Sequence, residues 1–295
     1  MNHIIKHNKL NFNAALIQTE HMDKISEMIA EYSGIQINRQ LAKHVIREIA
    51  KQMQLHSADD PDDYISILKT KDGYTYVMDN LISAISVSES YFFRNKGQFC
   101  YIYNEFFPQF YERKGSCKKN IKIWSVGCSR GEEPYSVAII AENFFKSYPY
   151  ASFDIWAGDI SNTNLKSAKK GVYSPRSVRK DFNGFNAILG KIEGEHDDKG
   201  QFTISKHTAS YVNFVNFNLT KRQDVKKLEN SDIILCRNVL IYFDEKFVEK
   251  LINIFYESLN PGGILLLGET EILPKSFSKF ITINYENTYI FKKAL

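Results

Sequence analysis

The sequence predicts an α/β protein built on a mostly parallel sheet, with a small all-α domain ahead of the sheet and a small β element inserted into it. Three observations lead there. Over residues 19–85 apolar residues recur at helical spacing with few strand signals, whereas from residue 122 onward short β-rich runs alternate with helical stretches, as in a parallel sheet covered on both faces. Over residues 174–211 the alternation stops, and Gly184, Gly190, Gly194 and Gly200 mingle with Glu193, Glu195, Asp197 and Asp198, the composition of an inserted loop-rich or small β element. A chain of 295 residues is long enough for one large core and one small domain.

In the amino-terminal part, Ile25, Met28, Ile29 and Tyr32 mark a first helix that Gly34 ends. Leu41, Val45, Ile46, Ile49 and Met53 mark a second. Their spacing leaves Lys43, Arg47 and Lys51 as an i, i+4, i+8 stripe on another face, which in an arbitrary protein is a solvated surface and otherwise a docking surface for an acidic partner. Tyr64, Ile65 and Leu68 mark a third helix that starts after Pro61-Asp62-Asp63, and a fourth covers residues 77–85. Ser88-Glu89-Ser90-Tyr91-Phe92-Phe93-Arg94 follows as a polar linker with an aromatic plug, placed to fold over the sheet's carboxyl edge. Strands are expected at residues 122–126, 153–157, 212–216, 231–236, 263–269, 280–283 and 288–291, with helices at 132–147, 162–170 and 246–258. The resulting organisation is a helical domain at 1–86, a linker and covering segment with helix at 87–118, and a sheet domain at 119–295 carrying the insert at about 174–211.

Composition narrows the function classes. With 38 Lys and Arg against 34 Asp and Glu, the net charge of +4 does not call for nucleic acid as a partner. No apolar run approaches the roughly 20 residues of a membrane span. The first nine residues lack a signal-peptide apolar core, so a cytoplasmic location is expected. Cys100, Cys117, Cys128 and Cys236 form no C-x-x-C pair, which favours reduced thiols over a zinc site or a disulfide framework, and no metal site is predicted.

The most informative stretch is residues 121–138, a buried strand entering a glycine turn (Gly127, Gly131) and then a helix with Glu132 and Glu133 in its first turn. Glycine lets the backbone approach a nucleotide-like ligand closely. A phosphate loop would place Lys and Ser or Thr after the second glycine, whereas two carboxylates there repel a pyrophosphate. A ligand with a cationic centre fits better, and S-adenosylmethionine is the common one. Asp159, closing the second strand, is placed to accept hydrogen bonds from ribose hydroxyls; the alternative, a cap for the 162–170 helix, can be met by Ser161. Asn218 and Leu219 follow the 212–216 strand, a position suited either to an adenine contact or to an ordinary Asn turn. Arg237 and Asn238 interrupt two apolar runs, Ile233-Ile234-Leu235 and Val239-Leu240-Ile241, and a polar pair without partners is costly in a plain core. A cleft is therefore expected there, with Asn238 and Tyr242 facing the reacting atoms.

These stretches, in this order, resemble the chemotaxis protein-glutamate O-methyltransferase family, which methyl-esterifies bacterial chemoreceptors with S-adenosylmethionine. Ser88-x-Ser90-x-Phe92-Phe93-Arg94 is similar to the family's N-x-T-x-F-F-R, and Gly131-Glu132-Glu133-Pro134-Tyr135-Ser136 matches its G-E-E-P-Y-S. Gly158-Asp159-Ile160-Ser161 resembles T-D-I-D, and the stretch from Cys236 to Asp244 is close to C-R-N-V-M-I-Y-F-D. Leu259-Asn260-Pro261-Gly262-Gly263 and Gly268-Glu269-Thr270-Glu271 resemble L-x-P-G-G and G-H-S-E. The resemblance implies a Rossmann-like S-adenosylmethionine-dependent methyltransferase sheet. It also implies that Ser88, Ser90, Arg94, Glu133, Asp159, Asn218, Leu219, Arg237 and Asn238 contact the cofactor or its product S-adenosylhomocysteine, with Arg94 and Tyr242 nearest the methyl transfer. The implied partners are the cytoplasmic helices of methyl-accepting chemoreceptors, met by Lys43, Arg47 and Lys51; neither nucleic acid nor membrane insertion is expected, and a monomer is expected without a sequence signal that fixes the oligomeric state. Other outcomes are a methyltransferase of the same fold acting on RNA or a small molecule, and a cofactor-binding signalling module without catalysis. Serines at 88 and 90 stand where the family carries longer or branched polar groups, Ser129-Arg130 stands in place of Ser-Thr, and Ser161 in place of the second Asp. In some members the inserted β-subdomain binds a receptor tail peptide.

Overall fold

The computed structural model describes residues 14–70, 73–85, 90–113, 119–148, 151–179, 194–198 and 200–295. The chain divides into two compact units near residue 87, with residues 160–163 counted with the first.

The first unit holds helices α1 (Thr19–Ser33), α2 (Arg39–Leu55), α3 (Pro61–Lys69) and α4 (Met78–Ile85). Gly34 ends α1 as expected, whereas α3 starts at Pro61 itself and not after Pro61-Asp62-Asp63. Gly34 takes the left-handed conformation (φ 78°) that closes α1, Asn38 Oδ1 accepts from Leu41 N at the start of α2, and Asp60 Oδ1 accepts from Asp63 N ahead of Pro61 in α3. The apolar stripes meet in a small core of Ile25, Ile29, Val45, Ile49, Met53, Tyr64, Leu68, Leu81 and Ile82, all fully buried. Between α3 and α4 lies a π-helical turn, Gly73–Val77, which helical periodicity does not reveal.

The second unit is built on a seven-stranded sheet. Its strands are β1 (Lys119–Val126), β2 (Ala151–Asp159), β6 (Val212–Asn216), β7 (Ser231–Cys236), β8 (Leu259–Leu267), β9 (Ile281–Tyr285) and β10 (Thr288–Lys292), in the order β6-β2-β1-β7-β8-β10-β9. The first five in that order are parallel; β10 pairs antiparallel with β8 and β9 antiparallel with β10. Alternate residues feed two cores, as the two-residue period of a strand requires. Ile121, Ile123, Ile155, Ile233 and Leu235 pack with Tyr135, Val137 and Ile140 of α5 (Glu132–Phe145) on one face. Trp124, Val126, Ile234 and Leu265 pack with Leu251, Ile252 and Phe255 of α6 (Glu245–Ser258) on the other. The predicted α/β sheet with helices on both faces is thus the observed one. Strand order reverses between β1 and β7, and in open α/β sheets the crevice beyond the strand ends at such a reversal is where ligands bind.

Strand β8 begins four residues earlier than the apolar run suggests and stops before Gly268. Leu259 pairs with Ser231 across a register irregularity, which keeps Asn260-Pro261-Gly262 in the strand, and Gly268 N turns to a side-chain acceptor instead of extending the ladder. A second sheet of three short antiparallel strands, in the order β3 (Val172–Tyr173), β5 (Phe202–Ile204) and β4 (Gly194–His196), has β4 and β5 within the expected insert and β3 just ahead of it. The segment read as a linker is part of the core from Phe92 on: Phe92 and Phe93 are fully buried, and Phe92 makes edge contacts with Tyr173 at 4.8 Å and Phe202 at 5.6 Å.

Candidate cofactor and active site

The turn after β1 sits at the strand reversal and is built around glycine. Gly127 adopts φ 72°, its N–H and that of Cys128 donate to the Gly158 carbonyl at the end of β2, and a Cβ at 127 would lie 2.4 Å from Val239 Cγ2. No other residue meets both constraints. The chain continues through Ser129, also left-handed at φ 48°, whose N–H donates to Asp159 Oδ2 at 2.8 Å. Asp159 therefore ties the turn to the neighbouring strand with one of its oxygens, and it is buried, at 8% exposure.

The two carboxylates that open α5 have separate tasks. Glu132 is fully buried, and its Oε1 accepts from Ser177 Oγ at 2.9 Å. Glu133 Oε1 accepts from Ser125 Oγ at 2.7 Å and Oε2 accepts from Arg237 Nη1 at 3.1 Å. Ser125 is the polar residue of the buried run 123–126, and β1 aims it at the α5 face. Burial pushes the Glu133 carboxyl up, against the pull of Arg237 and Ser125, and burial lowers the Arg237 guanidinium against the pull of Glu133. Arg237 also donates through Nη2 to the Arg94 carbonyl and lies 5.4 Å from the Phe99 ring. The polar pair 237–238 thus finds the partners its burial demands, and half of the negative charge read from the Glu132-Glu133 pair is matched by this arginine.

Arg94 belongs to a stretch held in uncommon backbone geometry, with Phe93 at φ 57° and Asn95 at φ 60°. Phe93 N donates to Ser136 Oγ at 2.9 Å and Phe92 N to the Ser177 carbonyl, so both helix α5 and the segment after β3 fix it. The Arg94 side chain is half-buried, its guanidinium 5.7 Å from the Tyr91 ring, and Ser90 is half-buried in the same segment. Ser88 lies outside the described residues. After β7, Asn238 takes φ 59° and Tyr242 ends a short 3-10 turn, Leu240–Tyr242, with its side chain half-buried. Asn218 makes the Asn turn that the sequence left as the alternative: its Oδ1 accepts from Thr220 N at 2.9 Å and Thr220 Oγ1 at 2.8 Å, while Leu219 packs with Trp124 and Phe217.

The structure therefore gathers Arg94, Glu133, Arg237 and Asn238 into one connected group and joins Asp159 to the glycine turn. Lys43, Arg47 and Lys51 lie on α2 of the other unit, all three exposed, with Lys51 ion-paired to Glu48. The sequence signals point neither to Ser125, whose partner lies across the turn in the first turn of α5, nor to the backbone-holding role of Ser136, whose partner lies 43 residues away. Among the described residues, Ser129 Oγ and Arg237 Nε are buried polar atoms without a hydrogen-bond partner in the protein, both on turns at the strand reversal. An acidic group closing β2, close-packed glycine after β1 and polar atoms of this kind suit a nucleoside carrying a cation, and no lysine of a phosphate loop is present in the turn.

Sequence comparison decides the assignment. The model described as CheR methyltransferase, SAM binding domain, matches residues 88–289, more than half of the 295. The chain belongs to the CheR methyltransferase family. Chemotaxis protein methyltransferase 2 of Vibrio cholerae is 36% identical over 200 residues, covering 68% of this chain and 67% of that one. The chemotaxis protein methyltransferase of Borreliella burgdorferi is 28% identical over 270 residues, covering 90% of this chain and 92% of its own length, so the likeness extends into the helical unit. That of Klebsiella aerogenes is 28% identical over 251 residues, 85% of this chain and 82% of its own. The cofactor of this methyltransferase is S-adenosylmethionine, and no described helix is long and apolar enough to cross a membrane.

In the methyltransferase, Asp159→Ala is expected to weaken S-adenosylhomocysteine binding by on the order of 1.5–3 kcal/mol, the value of a hydrogen bond to a charged group. Isothermal titration of the folded variant checks this; wild-type affinity would take Asp159 out of the cofactor site.

Proposed function

We propose that this enzyme methyl-esterifies glutamate side chains on the cytoplasmic helices of bacterial chemoreceptors, acting in the cytoplasm as a monomer. The observation that carries the reading is the similarity, over 90% of this chain, to a protein named as a chemotaxis methyltransferase; the motif stretches that follow β1 and β7, the two strands at which strand order reverses, support it. The cofactor supplies an electrophilic methyl on a sulfonium. A glutamate with an unperturbed pKa of about 4.3 is already ionised at neutral pH, so the enzyme needs no general base. Its residues have to align the carboxylate and keep water out, and orientation of this kind is worth roughly 7–11 kcal/mol. Arg94 orients the incoming carboxylate or the cofactor, and Tyr242 lines the path of the methyl group. Arg94 does this best without a tight bidentate pair, which would stabilise ground state and transition state alike. Asp159, Glu133, Arg237 and Asn238 hold the cofactor, with Ser88, Ser90, Asn218 and Leu219 as further contacts. Peptide mapping by mass spectrometry of receptor incubated with enzyme and S-adenosylmethionine tests the reading, methyl groups being expected on glutamate residues and nowhere else.

Lys43 and Arg47 are exposed on the α2 face opposite the buried Val45 and Ile49, and a glutamate-bearing helix is the chemistry such a face complements. Because Lys51 is paired with Glu48, the docking role is assigned chiefly to the other two. Reversing Lys43 and Arg47 to Glu is expected to raise the apparent KM for receptor and to flatten the salt dependence of the reaction, with cofactor affinity unchanged. Screening over a Debye length of about 8 Å at physiological ionic strength gives the wild type its salt sensitivity. A reversed variant that works as well as wild type at low salt would show the stripe to be only a solvated face.

A further inference from the structure

Glu271 lies beyond β8 in the Gly268-Glu269-Thr270-Glu271 turn, is 8% exposed, and carries no role in the mechanism above. Its carboxylate is committed to backbone. Oε2 accepts from Asn238 N at 2.7 Å and from Gly268 N at 2.7 Å, and Oε1 accepts from Leu240 N at 2.8 Å and Ile241 N at 3.4 Å. Three of these four donors belong to the loop after β7 that bears Asn238 and Tyr242. The opening N–H groups of a helical turn have no partner within the turn. Here they are served by a carboxylate some 30 residues away in sequence, in place of the local cap that sequence signals describe. Asn238 needs such a hold, because its left-handed backbone (φ 59°) is a conformation that persists when its surroundings enforce it. Gly268 is matched to the same cradle: a Cβ there would lie 2.8 Å from both Glu271 Oε2 and Asn238 Nδ2. The carboxylate also adds negative potential at buried Arg237, helping to keep that guanidinium charged.

We infer that Glu271 is a positioning residue that sets the Asn238–Tyr242 loop for cofactor binding and methyl transfer, an inference that rests on the placement of the cofactor site proposed above. The side chain works by accepting at both oxygens, so a group of the same size that accepts at one and donates at the other fails. Glu271→Gln places an amide NH2 against either the Asn238 and Gly268 donors or the Leu240 and Ile241 donors. Glu271→Asp is shorter but keeps two acceptors.

The test compares the two variants in the full-length protein by S-adenosylhomocysteine titration and by kcat and KM for methyl transfer to receptor-containing membranes, with thermal melts as the fold control. Glu271→Gln is expected to lose about 10²-fold in kcat/KM, the cost of a misplacement near 1 Å, and to bind S-adenosylhomocysteine more weakly while still melting cooperatively. Glu271→Asp is expected to retain more turnover than Glu271→Gln, whereas a role in packing alone ranks the isosteric Gln above Asp. Gln at or above Asp, or wild-type affinity and turnover in the Gln variant with only a lower Tm, overturns the inference. If Glu271→Gln does not fold, Glu271→Asp and Gly268→Ala carry the test, and wild-type kcat in both overturns it. Asp159→Ala measured alongside separates two failures. If it too leaves S-adenosylhomocysteine affinity unchanged, the cofactor-site assignment fails; if it weakens binding while Glu271→Gln does not, only the role of Glu271 fails.

Discussion

Replacing Glu133 with alanine is expected to cost about 3–5 kcal/mol of folding stability, the penalty for leaving a buried charge without its partner. The side chain of Arg237 is 2% exposed and that of Glu133 14%, so water is a poor substitute for the lost carboxylate. Denaturant titration of the folded variant measures the loss, and a change below about 1 kcal/mol would show that the pair behaves like a solvated one. The reciprocal variant, Arg237→Met, carries a pH signature. Burial already holds the Glu133 carboxyl above its ordinary value, and removing the arginine takes away the largest influence pulling it back. A carboxyl whose folded-state pKa is raised contributes stability that is fully present below the unfolded-state pKa and is lost as pH rises through the folded-state value. The deficit of Arg237→Met relative to wild type is therefore expected to be larger at about pH 8 than at about pH 5. An equal deficit at both, or the opposite order, would mean that Glu133 is not the group titrating.

Arg94→Ala is expected to lower kcat/KM for methyl transfer by about 10²-fold, the order of effect seen when a reacting group is misplaced by about 1 Å, with little change in stability. The separation follows from how the residue is held. Its backbone carbonyl accepts from Arg237, Phe93 before it is fixed by Ser136, and the buried aromatic rings of 92 and 93 anchor the segment, so the conformation survives loss of a half-buried side chain. Tyr242→Phe, which removes the hydroxyl alone, is the milder companion. Normal turnover in both variants would place the methyl transfer elsewhere on the protein, and a Tm drop in Arg94→Ala as large as that of Glu133→Ala would make Arg94 a structural residue.

The parts of this fold that were legible in the sequence are those fixed by local chemistry. Apolar runs such as Ile233-Ile234-Leu235 announce a strand buried on both faces, Gly34 announces a helix end, and Gly127 stands where only glycine can turn the chain against Val239. The parts that were not legible depend on partners far along the chain. Nothing near Glu271 says that its carboxylate will serve three N–H groups of the loop after β7, and nothing near Ser136 says that its hydroxyl will hold the N–H of Phe93. The π-turns at Gly73–Val77 and Ile102–Phe106 escape for a different reason, since a single extra residue per turn leaves the apolar spacing on either side intact. Strands β3, β4 and β5 span two or three residues each, too few for a periodicity to show.

The measurement closest to the central claim is transfer of labelled methyl from S-adenosylmethionine to receptor-containing membranes, followed by mild base. An ester of a glutamate side chain releases its label in base, and label that appears rapidly with wild-type enzyme, about 10²-fold more slowly with Arg94→Ala, and is released by base is the expected result. Label that resists base, or that appears on RNA or a small molecule and not on receptor, would contradict the assignment.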